Sequence, residues 1–267
     1  MAVFIWVGST SSVFNDGDNW LGGEFSDSVP EAGDDLYYVA DYPAACTGSS
    51  ALAFGALVVE DGYTAALSLN SSFTSVDFSG TGDTTLDVRS SAITLEIKQT
   101  ATGGAGTKGL YIRGDALTGI NIESGSVGIA HKPGDTSVVG ELRVISGDVE
   151  VGSGVTLTTC YNFGAAIEMA ASVTTIHVKN GTTNLIESAA ATTVDCLRGE
   201  FVLDSSGTVA SLFVDTQGAF SATAGDDKTI TALSFAPGAS LSWYPSNMTI
   251  GTFTLPSDPI TLRTDSI

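Results

Sequence analysis

A spaced pattern recurs along most of this chain and limits what it can fold into. An apolar residue is followed by a second three places on, a third five places on, and a glycine about eight places on. Leu117, Ile120, Ile122 and Gly125 show it, as do Val139, Leu142, Val144 and Gly147, and Val173, Ile176, Val178 and Gly181. Phe54, Leu57, Val59 and Gly62, and Ile230, Leu233, Phe235 and Gly238, repeat it, and looser copies start at Phe73, Val194, Val209 and Ile250. The starts lie 19, 44, 22, 34, 21, 15, 21 and 20 residues apart. The two long gaps each hold a weaker turn, around "ITLEI" (Ile93 to Ile97) and "VTLTTCYNF" (Val155 to Phe163). Within each copy the apolar residues alternate with polar ones, which means strands. Short strands recurring about every 20 residues, with few helix signals, mark a β-solenoid. The expected fold is therefore all-β, a right-handed parallel β-helix of about ten turns. An antiparallel β-sandwich or jelly roll is the alternative, but it does not explain the repeated offsets. One turn alone cannot bury its inward Val, Leu and Ile; stacked turns line them up in columns.

The repeat divides the chain. Residues 54–255 carry the solenoid. Residues 1–53 lack the pattern and hold Trp6, Trp20 and three of the seven tyrosines, so they are expected to form an N-terminal cap. A solenoid has to close its open end, because an unpaired last turn offers N–H and C=O groups to other chains. Trp6 and Trp20 are the expected structural cap residues, covering the first turn's core. Residues 256–267, with a short apolar alternation at Ile260 to Leu262, are a tail or a cap strand.

Charge narrows the partners. The chain has 30 acidic and 10 basic residues, a formal net charge of −20, and 13 acids precede the first base, Arg89. Such a surface repels phosphate and anionic lipid, so neither nucleic acid nor membrane is an expected partner. The N-terminal "MAVFIWVGS" has no positive flank and is too short for a signal core, so no secretory signal is read there. Cys46, Cys160 and Cys196 are far apart, with no C-x-x-C spacing; they read as small buried apolar side chains.

Chemistry-bearing groups are sparse. β-Helix lyases and hydrolases need clustered carboxylates with Arg, Lys or His beside them. Here "GDD" at Gly225 to Asp227, next to Lys228, is one short cluster, and it reads as a loop corner. His131 and His177 fall in different turns and read as surface residues. No nucleophile elbow, zinc motif or phosphate loop occurs, and "TATGGAGTKG" reads as a corner insertion. Asp16 and Asp18 offer hard oxygens to calcium, but no acid closes a twelve-residue loop. An Asx-type turn is the expectation there, with no metal, no cofactor and no catalytic residue.

The leader is also the place of a resemblance. "WVGSTSSVFNDGDNW", then "VPEAGDDLYYV", then a cysteine and the first repeat, resembles a W-x-G…NW…P…DD leader. That leader opens many β-solenoid proteins of tailed phages, and a similar one opens bacterial passenger adhesins. The matching residues are Trp6, Gly8, Asn19, Trp20, Pro30, Asp34 and Asp35. The resemblance implies a virion structural protein that binds without chemistry, a capsid decoration (cement) protein or short fibre, commonly a homotrimer. On this reading the partner is the major capsid protein and the location is the outer capsid surface. A receptor-binding tail fibre, spike or adhesin is the first alternative, with Tyr111, Trp243 or Tyr244 presented to a glycan. A β-helix polysaccharide lyase or hydrolase is the second.

Overall fold

The computed structural model describes residues 2–22, 28–47, 52–60, 63–65, 67–71, 73–80, 84–88, 92–98, 107–131, 134–243 and 247–254. Among these the chain is nearly all β and winds into about ten turns of parallel strands. It is a parallel β-helix, as the repeat predicts, and not a sandwich. Gly62, Tyr244 and the expected C-terminal segment 256–267 lie outside the described residues. The chain divides into two compact units, Met1–Gly140 and Glu141–Ile267.

The first unit contains β1 (Val3–Trp6), a 3-10 turn at Gly17–Asn19, β2 (Trp20–Gly22), β3 (Asp35–Tyr38), β4 (Cys46–Thr47), β5 (Ala56–Val59) and β6 (Leu67–Ser71). It continues with β7 (Ser75–Phe78), β8 (Thr84–Val88), β9 (Thr94–Ile97), β10 (Leu110–Gly114), β11 (Leu117–Ile122) and β12 (Ser126–Ile129). Strands β1, β3, β5, β7, β9 and β11 form one parallel ladder. Its register stacks Phe4, Leu36, Leu57, Val76, Leu95 and Ile120 in one column. Trp6, Tyr38, Val59, Phe78, Ile97 and Ile122 form the next. All twelve side chains are at most 3% exposed. The +3 and +5 members of the sequence pattern are thus the two inward residues of one strand. "ITLEI" supplies the rung that fills the long gap, as expected. Strands β4, β6, β8, β10 and β12 make a second ladder, whose inner column runs Leu69, Leu86, Ile112 and Ile129. The parallel ladder also reaches into the segment read as a cap: β1 and β3 belong to the same ladder as β5.

β13 (Ser137–Val144) crosses the boundary between the units. The second unit then holds β14 (Asp148–Val151), β15 (Val155–Met169), β16 (Val173–Glu187), β17 (Ala191–Ser205), β18 (Thr208–Ala222), β19 (Lys228–Phe235), β20 (Ser240–Ser242) and β21 (Met248–Thr254). Leu157, Val173, Ala191, Val209, Ile230 and Ile250 share a column, and Cys160, Ile176, Val194, Leu212, Leu233 and Phe253 the next. Between these columns two successive residues are not buried (Thr174 and Thr175 in β16), which is why the first step is three residues and not two. The register corrects one reading. Val194 pairs with Ile176 and Leu212, so it is the second member of its turn, not the first. The first member is Ala191. Its turn is then completed by Cys196, opposite Val178 and Val214.

The corner glycines are needed where they stand. Gly181 and Gly199 have φ of +76° and +81°, a conformation side chains rarely adopt. A Cβ at Gly199 would lie 2.3 Å from the carbonyl oxygen of Gly181 on the rung before. One polar residue also occupies an inward column. Asn162, fully buried opposite Val178, donates to the carbonyls of Ala165 and Thr182 and to the Thr183 hydroxyl, each at 3.0 Å. Its carbonyl accepts from the backbone N–H of Gly164 (3.0 Å) and Ala165 (2.8 Å). Every polar atom of the amide is engaged, which is what makes its burial tolerable.

Candidate functional site

The leader folds onto the outer edge of β1. β2 runs antiparallel to β1 and sets Trp20 opposite Trp6. Their ring centroids are 4.9 Å apart, edge to face. Trp20 also meets Phe14 (5.0 Å), Tyr38 (5.9 Å) and Phe4 (6.3 Å). Each indole N–H is satisfied: Trp6 donates to the Ala44 carbonyl and Trp20 to that of Phe14, both at 2.8 Å. Trp6 and Trp20 are buried, at 0% and 4% exposure. The polar turn between them is an Asx-type turn. Asp16 caps the 3-10 turn and accepts from the Asp18 backbone N–H. It also accepts from the Ser11 and Thr10 hydroxyls, at 2.8 Å each. Those bonds, Ser11's first, hold the Asp16 carboxyl below its ordinary range. Asn19 is fully buried; its oxygen accepts from the backbone of Thr10 and Ser11, and its amide donates to Ser11 Oγ and the Val13 carbonyl.

The remaining motif residues also hold backbone in place. Asp34 accepts from the N–H of Ala2 (2.7 Å) and of Glu31 (3.0 Å). Asp35 accepts from the N–H of Ala56 (2.7 Å), fastening β3 to β5. Gly8 has φ of +55°, and a Cβ there would strike Ala44. Pro30 is buried.

A cluster of aromatic and charged groups lies on the outer side of the second unit. Alternation turns Tyr161 and Phe163 outward from β15, between the inward Cys160 and Asn162 and beyond. Tyr161, His177 and Asp195 occupy the same outward position on successive rungs. Tyr161 and His177 stack at 4.8 Å and 14°, and His177 Nδ1 lies 3.1 Å from Asp195 Oδ2. Arg143 sits over the rings of Tyr161 (5.4 Å) and Phe163 (5.8 Å), and the Lys179 ammonium over the same rings at 5.4 and 5.0 Å. Beside Lys179 opens a cleft of about 620 Å³, lined by Lys179, Leu197, Arg198, Asp215, Thr216 and Gln217.

The other residues singled out in the sequence go elsewhere. Tyr111 is half-buried; it stacks on His131 at 6.3 Å, and its hydroxyl accepts from the Lys108 N–H. Trp243 packs against Phe220 and Phe253. "GDD" is a corner: Gly225 has φ of +126°, Asp226 and Asp227 are exposed, and Lys228 points inward, donating to the Asp226 carbonyl. The Tyr161–His177–Asp195 column is not evident in the linear sequence. Its signal is the residue after each second inward member, visible only once the register is known. Burial raises all three thiols, Cys46 and Cys160 to about 12. Among the described residues no three His, Cys, Asp or Glu side chains converge as a metal site, and no helix is long and apolar enough to cross a membrane. No family model, curated protein or solved structure matches the chain.

Proposed function

We propose that this chain is a non-enzymatic structural protein of a tailed-phage virion. In this reading it is a capsid decoration protein that sits on the outer shell as a homotrimer and bridges neighbouring major capsid subunits. The observation that supports it is the leader. Of the seven residues that carry the resemblance, Trp6, Asn19, Trp20 and Pro30 are buried, Asp34 and Asp35 accept from backbone N–H groups, and Gly8 leaves no room for a Cβ beside Ala44. Mechanically, a protein that binds the assembled shell and not the free subunit stabilises the shell by mass action. The excess of 30 acids over 10 bases suits a basic shell surface, and such charges govern on-rate and salt sensitivity.

The test is to strip the protein from particles and add it back. Stripped particles should release their genome at a lower temperature, and re-addition should restore the original value. Equal thermal resistance of stripped and restored particles would overturn the proposal.

A further inference from the structure

We propose that the cleft beside Lys179 and Arg198 binds an acidic sugar, through the carboxylate and neighbouring hydroxyls of a hexuronate residue. The first reason is the state of the cations. In a chain with three acids for every base, most described bases are already engaged. Lys98 pairs with Asp77, Arg113 with Asp87 and Asp135, and Arg143 approaches Glu141, while Lys228 is buried. The Arg198 side chain is exposed, and among the described residues its guanidinium has no ion pair or hydrogen bond. The Lys179 ammonium lies over the ring faces of Tyr161 and Phe163 and has no ion pair among the described residues. The two lie on adjacent strands, β16 and β17, whose spacing is about 4.8 Å. A planar guanidinium fork beside an ammonium matches a carboxylate.

The second reason is what surrounds them. Asp215 receives the Thr216 N–H on Oδ1 at 2.7 Å, which leaves Oδ2 to accept another donor. Gln217, opposite Arg198 in the register, and Thr216 add an amide and a hydroxyl. A polyanion would meet Asp215 and be repelled. A ligand with one carboxylate flanked by hydroxyls satisfies both halves of the cleft, and Leu197 offers an apolar surface to the C–H side of a sugar ring. Stacking on the aromatic pair is not the mode of recognition. The faces of Tyr161 and Phe163 are already covered by Arg143, Lys179 and, for Tyr161, His177.

The experiment is calorimetric titration of the full chain with digalacturonate, its methyl ester and a poly-glutamate peptide. Digalacturonate should bind, more weakly as salt rises. The ester, Arg198→Gln and Lys179→Gln should each weaken binding about tenfold, the scale of one charge-assisted hydrogen bond. Unchanged circular dichroism melts would show that both variants fold. No binding of digalacturonate, equal binding of the ester, or unchanged affinity in Arg198→Gln would overturn the proposal. So would tighter binding of poly-glutamate, which would assign the cleft to an acidic protein segment. Capsid binding is a separate measurement: Arg198→Gln should still restore stripped particles, so the two proposals fail independently.

Discussion

Replacing Trp20 with alanine tests whether the leader holds the first rungs together. The ring is 4% exposed and touches four other aromatic rings. A buried indole hides about 150–250 Å². At about 25 cal/mol per Å² that burial contributes about 4–6 kcal/mol. Truncation also orphans the Phe14 carbonyl, which now accepts from the indole N–H at 2.8 Å. Against this, β2 is only three residues long and can collapse partway into the space. The expected loss is therefore about 3–5 kcal/mol, in the range of large-to-small core substitutions. Trp20→Phe separates the two contributions: it keeps a ring but removes the N–H, and should cost about 1–2 kcal/mol. Urea unfolding followed by far-ultraviolet circular dichroism reads both, since a fluorescence signal would change with the residue itself. A loss below about 1 kcal/mol in Trp20→Ala would refute the claim that this ring closes the first rung.

Two other outcomes follow from buried polar groups. Asn162→Ala should destabilise the second unit by about 2–4 kcal/mol, because it strands the backbone donors and acceptors that the amide now satisfies; urea unfolding checks it. Stability should also fall in alkali. The thiols of Cys46 and Cys160 ionise near 9 when unfolded and only at about 12 when folded, because burial disfavours the thiolate. A raised folded value means the stabilisation is complete below 9 and is lost as pH climbs towards 12. Urea midpoints across that window should drop, and thiol reagents should label all three cysteines only in the unfolded protein.

The strand columns were legible because alternation has a period of two and leaves Val, Ile and Leu at fixed offsets. The pattern weakens where the inward residues are small or polar. Ala191 and Cys196 carry little hydrophobic signal, so the turn between Val173 and Val209 was anchored three residues late, on Val194. Asn162 looks like an outward residue until its five hydrogen bonds are seen. The aromatic weight of Trp6 and Trp20 marked the leader, but nothing in "GDD" at Gly33 to Asp35 shows that one aspartate holds Ala2 and the next holds Ala56. The outer cluster draws on residues from Arg143 to Gln217, and only the register brings Tyr161, His177 and Asp195 into one column. Lys179 and Arg198 stand out in the sequence as rare bases; that neither has an ion pair among the described residues does not.

The spacing of the second unit's first column, from Val173 to Ala191 and from Ala191 to Val209, is eighteen residues each time. The strands that begin near these points, β16, β17 and β18, are each fifteen residues long. A segment such as residues 173–190 is therefore an interchangeable module. Copying it would lengthen the stack by one layer and leave every inward column continuous; deleting it would take away Thr182 and Thr183, which hold the buried Asn162 amide. The outward side has no such freedom. A layer added between β15 and β16 would part Tyr161 from His177, and one added between β16 and β17 would part His177 from Asp195 and Lys179 from Arg198. Length in this protein is cheap to change only where nothing on the outside spans two layers.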